Sequence, residues 1–342
     1  MLTLSLAWLP GHFTNNVTAG SPQFWAGQNL TWSVLARVNG ATYSIFGVPE
    51  AISGVRAATQ QTISYSSSHT VVNLTAGNAN ITLDFFSPVL LNETDMARQS
   101  LPYSFLTVTA ISSDGNAANV QVMSAIDNSW TAQQNNSNLQ LNYTQTRASG
   151  YFQYFNPKQY LYSEDRDMAT YGSVVFASGL NHGNTFQCDT PSKVFSSFVS
   201  SGALSSSKQG CSGTNLVGLA GNLNNVGTNA SSITYAIGLN REFAINYLGQ
   251  AQTGYYRSKW PTIQSQVDYF LSNHSTMLSQ SNTFDAIVRQ KAQSVSSEFG
   301  NNYADILEAT IRQTFGAMEI TVCHGLCQRR GQLLMCDAVR YL

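Results

Sequence analysis

The residues best placed to do chemistry lie in a few short acidic and basic segments. "YSEDRDMATYG" groups Glu164, Asp165 and Asp167 around Arg166. Paired carboxylates could divide acid and base work or bind a cation, but acidic residues around an arginine before a strand more commonly form a solvated, self-paired loop. "AIDNSW" sets Asp127 beside Trp130. A carboxylate next to an indole could receive a sugar or amide, whereas an Asp capping a strand end is the commoner arrangement. "GLNREFAINYL" and "GYYRSKW" carry Arg241, Glu242, Arg257 and Lys259, read as ion pairs fixing a junction. No catalytic residue can be assigned from any of these.

The familiar motifs do not help. "GLAGNLNNVG" lacks the Lys-Ser/Thr of a phosphate-binding loop, "GCSGT" only approaches a nucleophile elbow, and none of the five histidines falls in His-Glu-x-x-His. The tail "CHGLCQRRGQLLMC" offers three cysteines and a histidine, but its Cys-x₃-Cys spacing and the lack of a surrounding framework argue against a zinc site. Neither a metal nor a cofactor is implied.

Composition narrows the class. Charged residues make up 10% of the 342 and net charge is −1, against about 25% charged in ordinary soluble domains. Without a basic face, nucleic acid is not an expected partner. No apolar run approaches the roughly 20 residues that span a bilayer, so no membrane partner is expected. The 43% hydrophobic and 11% aromatic content suffices for a packed core. Nine Asn-x-Ser/Thr sequons occur, at Asn16, Asn29, Asn73, Asn80, Asn92, Asn135, Asn142, Asn229 and Asn273, so N-glycans are expected if the chain is secreted. Cys188 and Cys211 are the only cysteines before residue 323 and are a candidate disulfide, the alternative being two free thiols. "MLTLSLAWLPG" has no positive start and no small-residue cleavage site, so it is not a convincing signal peptide.

Residues 23–250 read as β. "NLTWSVLARV", "TYSIFGV", "TISYSS", "TVVNLTA" and "NITLDFF" are β-branched, aromatic and often alternating. Strands over 103–112 and 119–126 flank Asp114-Gly115, a hairpin signal. Further strands are expected at 139–146, 171–177, 194–199, 215–220 and 232–239. The period changes at "KWPTIQ". Pro261 and Thr262 open a helix with Val267, Phe270, Leu271, Met277 and Leu278 on its apolar face. A second begins at a Thr283 N-cap and carries Phe284, Ile287, Val288 and Val295; a third places Tyr303, Ile306, Leu307, Ile311, Phe315 and Met318 three and four apart. The expected fold is mostly β: a large antiparallel β-sandwich followed by the first helices of an incomplete (α/α) toroid.

"SPQFWAGQNLTWSVLARVNGATYSIFGV", "AIGLNREFAINYLGQAQTGYYRSKWPTIQSQVDYFLSNH" and "YADILEATIRQTFGAMEIT" resemble the fungal secreted glutaminase A family, from about Trp8 to Thr321. The resemblance implies an N-terminal β-domain joined to a six-hairpin, glycosidase-like helical toroid, an extracellular location, and hydrolysis of L-glutamine to L-glutamate and ammonia. It implies the boundaries 1–260 for the sandwich and 261–322 for the start of the toroid. After "EIT" the text departs from the family: residues 323–342 hold three of the five cysteines and three of the seventeen Lys/Arg. They are read as an aberrant tail on a chain truncated at both ends, a fragment inactive alone, for which glutamine is a partner only at full length. The alternative is a carbohydrate-binding or scaffolding sandwich with Trp25, Trp32, Trp130 and Trp260 as stacking candidates, although aromatics at strand positions are more often core.

Overall fold

The computed structural model describes residues 16–23, 27–47, 52–90, 96–132, 138–165, 168–207, 211–323, 328–329, 332–333 and 338–341, with side chains as far as 322. In chain order the strands begin β1 (Trp32–Val38), β2 (Ala41–Phe46), β3 (Val55–Ala57), β4 (Thr59–Tyr65), β5 (His69–Ala76), β6 (Ala79–Phe86) and β7 (Tyr103–Ser112). There follow β8 (Ala118–Ile126), β9 (Gln140–Gln145), β10 (Ser149–Phe155), β11 (Glu164–Asp165), β12 (Met168–Ala169), β13 (Ser173–Gly179) and β14 (Thr185–Asp189). Last come β15 (Leu216–Val226), β16 (Ser231–Asn240), β17 (Ile245–Tyr247), β18 (Gln250–Gly254) and β19 (Met318–Cys323). The helices are α1 (Met96–Gln99), α2 (Pro191–Ser201), α3 (Ile263–Ser272), α4 (His274–Gln293) and α5 (Gly300–Gly316).

Two sheets face each other. One has six strands, β14-β15-β8-β1-β2-β3, and the other eight, β4-β5-β6-β7-β16-β13-β10-β9. Neighbours are antiparallel except β2 and β3. The protein is therefore mostly β, a sandwich with helices on it. Its inner core is built by alternating residues such as Val34, Ala36, Val120, Val122, Leu106, Val108, Ile81 and Leu83. At one end Trp32 meets Phe46, Phe85 and Trp130 edge-on, with ring centroids 5.3 to 5.5 Å apart. Trp32 also donates through Nε1 to Ser124 Oγ at 2.9 Å. Gly47 must be glycine here: its φ is +71° and a Cβ would meet the Trp32 carbonyl oxygen at 2.0 Å.

Both sheets are apolar on their outer faces as well. On the six-stranded sheet α2 covers Leu35, Met123, Ala125 and Leu216 with Val194, Phe195 and Phe198. On the eight-stranded sheet α3 and α4 cover Phe86, Phe105, Tyr151 and Val175 with Val267, Phe270 and Met277. Phe270 stacks on Phe105 at 3.9 Å, and Phe105 on Phe86 at 5.5 Å.

Several sequence expectations are corrected. β7 and β8 are not a hairpin: β7 pairs with β6 and β16, β8 with β1 and β15, so the Asp114-Gly115 turn carries the chain from one sheet to the other. Residues 194–199 are helix, because Pro191 sits at the first turn of α2 and Val194, Phe195 and Phe198 share its buried face. The first predicted helix splits at Asn273, which puts Met277 and Leu278 on α4. Thr283 is not a cap; it lies inside α4 with Oγ1 donating to the Ser279 carbonyl at 2.9 Å. The polar "SQSNT" run continues the helix because Ser281, fully buried, ties it to the Val89 backbone in the segment that follows β6. Met318 starts a strand: β19 pairs with β18 on one side and with residues 338–341 on the other. Thr262 does open α3, in a reciprocal capping box with Ser265.

Truncating Phe270 removes the centre of the outer core, so Phe270→Ala should cost about 3–5 kcal/mol of unfolding free energy in urea melts; a loss below about 1 kcal/mol would mean that α3 is not held by this stack. His274 sits edge-on to Phe105 at 4.7 Å with Nε2 against Thr107 Oγ1 at 3.2 Å. Burial holds its pKa below the ordinary value; His69 lowers it further, and Asp84 opposes both. The folded state thus refuses a proton that the unfolded chain accepts below about pH 6.5, and stability falls as pH drops through that window. His274→Gln should flatten the loss of melting temperature between about pH 7 and pH 5; an unchanged slope would acquit His274.

Candidate functional site

The densest set of chemically capable side chains lies where α4 and α5 meet the β4–β5 turn. This turn is "SSSH": Ser66 Oγ accepts the backbone N–H groups of Ser68 and His69 at 3.3 and 3.1 Å, which closes it locally. The same Ser66 hydroxyl donates to Asp285 Oδ2 on α4, and Ser68 Oγ donates to that oxygen at 2.8 Å. Asp285 is buried, and so are Ser67 and Ser68. From α5, Arg312 donates to the carbonyls of Ser66 and His69 at 2.8 and 2.7 Å and to Thr70 Oγ1 at 2.8 Å. Burial pulls the Arg312 pKa down to about 10, so it remains a cation at neutral pH. One arginine thereby ties α5 to two carbonyls of this turn, of which that of His69 also accepts the Ser66 N–H at 3.0 Å.

Around this clamp the remaining titratable groups are paired. His69 Nδ1 lies 2.8 Å from Asp84 Oδ1 while its ring stacks on Phe86 at 4.4 Å. Arg289 on α4 donates to Asp305 at 3.2 Å and Glu308 at 2.9 Å on α5. Glu308 is almost fully buried, and desolvation raises its pKa although Arg289 opposes the shift. On α3, Asp268 accepts from Thr146 and Ser149 at 2.8 and 2.6 Å. An open cavity of about 500 Å³ sits between the turn and the helices, lined by Tyr65, Ser66, Asp285, Arg289, Asp305 and Glu308.

A second polar cluster forms at the strand–helix junction. Arg241 pairs with Glu319 and donates to the Tyr171 hydroxyl at 3.3 Å and the Ala244 carbonyl at 3.4 Å. Both ionic side chains are largely buried, at 8% and 12% exposure. Nearby, Gln266 Oε1 accepts from Tyr103 at 2.9 Å and from Asn240, and Arg257 donates to Asn240 Oδ1 at 3.2 Å. Of the four residues read as junction ion pairs, Arg241 fills that role and Arg257 reaches an amide instead. Glu242 and Lys259 are exposed.

The other sequence candidates disperse. Glu164 and Asp165 sit exposed on the small β11–β12 hairpin, and Arg166 and Asp167 lie outside the described residues. Asp127 caps the turn at 128–131 by accepting the Ser129 N–H at 2.8 Å. Trp32 and Trp130 are 1% and 3% exposed and are core; Trp260 packs on Tyr269 at 4.1 Å. Trp32 and Trp130 therefore offer no stacking face, and Trp25 is outside the described residues. Cys188 and Cys211 are joined, with Cα atoms 5.5 Å apart. Sequon residues Asn29, Asn80, Asn142 and Asn229 are exposed; Asn16, Asn73 and Asn273 are half-buried, and Asn92 and Asn135 are outside the description. Among the described residues no three His, Cys, Asp or Glu are grouped to hold a metal, and no helix is long and apolar enough to cross a membrane.

Sequence reading missed the Ser66–Ser68, Asp285 and Arg312 clamp entirely. Ser66 and Asp285 are 219 positions apart, and neither stands in a recognisable motif. The one local hint was a serine triplet ahead of a histidine between two strands.

The chain is 27% identical over 312 residues to Glutaminase A of Aspergillus oryzae, covering 88% of this chain and 44% of that protein. It therefore spans less than half the length of the curated relative it matches. Among solved structures, a protein described as a kojibiose phosphorylase from the human microbiome overlays with a TM-score of 0.33 and 8% identity, over 86% of this chain and 29% of that one. A heparan sulfate lyase HepC mutant from Pedobacter heparinus gives 0.27 and 10%, over 54% and 22%. Overlays this loose carry no functional weight. A domain of unknown function, DUF5127, matches residues 68–291, from the buried serine turn through α4, and the chain belongs to that family.

Proposed function

We propose that this chain supplies the β-sandwich and first helices of an extracellular glutaminase-like amidohydrolase, which converts L-glutamine to L-glutamate and ammonia, and that the 342 residues alone do not turn over. The observation that carries this reading is the similarity to Glutaminase A, which covers 88% of this chain. Two features of the structure support it. Hydrolysing an amide needs an activated nucleophile or water, a donor for the oxyanion and an acid for the leaving ammonia. Here four acidic side chains among the helices and strand ends are spent on structure: Asp84 on His69, Asp268 on Thr146 and Ser149, Asp285 on Ser66 and Ser68, Glu319 on Arg241. The outer edge of α4–α5 also exposes Val295, Phe299, Tyr303 and Ile306 at 68, 58, 45 and 64%, an apolar strip suited to further helices. Secretion is supported by the joined Cys188 and Cys211 and by the exposed sequons.

The test is ammonia release from L-glutamine, measured for the 342-residue chain and for the product of the transcript sequenced across the codons for 319–327. Turnover by a longer product and none by the shorter chain is expected. Retention of the sandwich on a polysaccharide column, with no ammonia from either form, would instead support the carbohydrate-binding alternative. In secreted material a thiol titration should find Cys188 and Cys211 unreactive before reduction; two reactive thiols would remove the extracellular argument.

A further inference from the structure

The eight-stranded sheet ends in an open edge, and the backbone there selects its own kind of partner. β4 lies at the end of the strand order. Six of its seven residues are exposed, Ile63 and Tyr65 at 54% and 51%. The other edges of the two large sheets differ. β3 is three residues long, Ser207 bridges β14, and β9 is anchored by buried Leu141 and by Tyr143, which stacks on Phe186 at 3.7 Å.

The ladder decides which backbone groups face outward. Ser66 N–H donates to the His69 carbonyl at 3.0 Å, so the hairpin leaves its turn on a hydrogen-bonded pair. Bonded and non-bonded pairs alternate along an antiparallel ladder. Ser64–Val71 and Thr62–Asn73 are therefore bonded pairs, whereas Tyr65–Thr70 and Ile63–Val72 are not. Ile63 and Tyr65 aim N–H and C=O away from β5, into the open edge. Among the described residues no other strand pairs with β4 and no further backbone hydrogen bond reaches it. Such a row of donors and acceptors is a template for another extended strand. Edges of this kind are ordinarily guarded by Lys, Pro or an inward-pointing charge. β4 has none: no charged residue and no proline occurs from Ala57 through Ser68, and the one irregularity, between Gln60 and Thr62, precedes the open groups.

We propose that β4 pairs antiparallel with β4 of a second copy, about a two-fold axis at Ser64. The segment is complementary to itself in that register. Ile63 falls opposite Tyr65 of the second copy, and Tyr65 opposite Ile63, so both outward pairs are satisfied by about four backbone hydrogen bonds. A β-branched side chain against an aromatic one is a favourable cross-strand pair, and the uncharged stretch brings no like-charge repulsion. Arg312 lies over the Tyr65 ring at 5.5 Å and holds it in place. Ile63 and Tyr65 also border the open cavity of about 500 Å³, so α4 and α5 leave room beside the edge. This association is independent of amide hydrolysis.

Sedimentation velocity of the intact chain between about 1 and 200 µM tests it. One strand pair is a small interface, so a reversible dimer with a dissociation constant on the order of 10–100 µM is expected. Ile63→Pro removes an outward N–H that the β4–β5 ladder does not use, and should raise that constant at least about tenfold. Ile306→Glu, on the apolar strip of α5, should leave it unchanged. Ser64→Cys reads the register: position 64 meets itself in a non-bonded pair, with Cα atoms about 4.5 Å apart, within disulfide reach. Mild oxidation should therefore join position 64 to itself, as identified by mass spectrometry of the digest. A monomer throughout, a dimer indifferent to Ile63→Pro, or a dimer lost in Ile306→Glu would overturn the proposal. Should Ile63→Pro fail to fold, the position-64 link decides, and its absence at 200 µM on the scale tested above (about 200 µM) overturns the pairing.

Discussion

The structure depends on one constraint: the eight-stranded sheet is apolar on both faces and must be covered twice. Its inner face meets the six-stranded sheet, as in any sandwich. Its outer face presents Phe86, Phe105, Tyr151 and Val175, which water would leave as a large apolar patch. The Phe86–Phe105–Phe270 stack is the answer to that exposure, continuing from strand to strand to helix. Helices α3 and α4 are accordingly a third layer of the sandwich, and their sequence pattern follows from the sheet beneath them.

Covering a sheet with helices creates a polar problem at its rim. Strands end in carbonyls and hydroxyls that the helices bury, and buried polar groups need partners. Here the partners come from the helices themselves. Asp285 takes two serine hydroxyls, Arg312 takes two carbonyls, Ser281 bridges Val89, and Asp268 takes Thr146 and Ser149. At the other end Arg241 and Glu319 close the junction where β19 returns to β18. These contacts give the apolar layer its register, since a helix held by aromatic stacking alone could slide, whereas one bonded at both ends cannot. The pairing is incomplete at one corner, where Asp285 Oδ1, Ser67 Oγ, His69 Nε2 and Gln280 Oε1 are buried without a hydrogen bond.

The sequence reveals this architecture unevenly. Strands such as β5 and β6 were legible because one face is core and the other less so, giving alternation. Asp114-Gly115 was legible as a turn, but a turn signal is local and does not say which sheet receives the next strand. α2 was misread because "VFSSFV" has the composition of a strand, while the decisive features, Pro191 at its first turn and the 194, 195, 198 spacing, speak for helix. The polar "SQSNT" looked like a loop because its buried member, Ser281, takes its meaning from a backbone 192 residues away. For the same reason the candidate site was invisible: Arg312 and Ser66 are 246 positions apart, and only folding brings them together. Of the Arg241 junction only the arginine was legible, from the charges clustered where the period changes; its partner Glu319 is 78 positions away.

The central claim is that sandwich and helical layer are one cooperative body. Native-state hydrogen exchange of the intact chain tests it most directly, by comparing amides in β7 and β16 with those in α3 and α4 across low denaturant. The account predicts that all four elements converge on the same opening free energy, because the helices cannot leave without exposing the Phe86–Phe105 face. Exchange of α3 and α4 through a separate opening, several kcal/mol below that of the strands, would contradict it and make the helices an appendage.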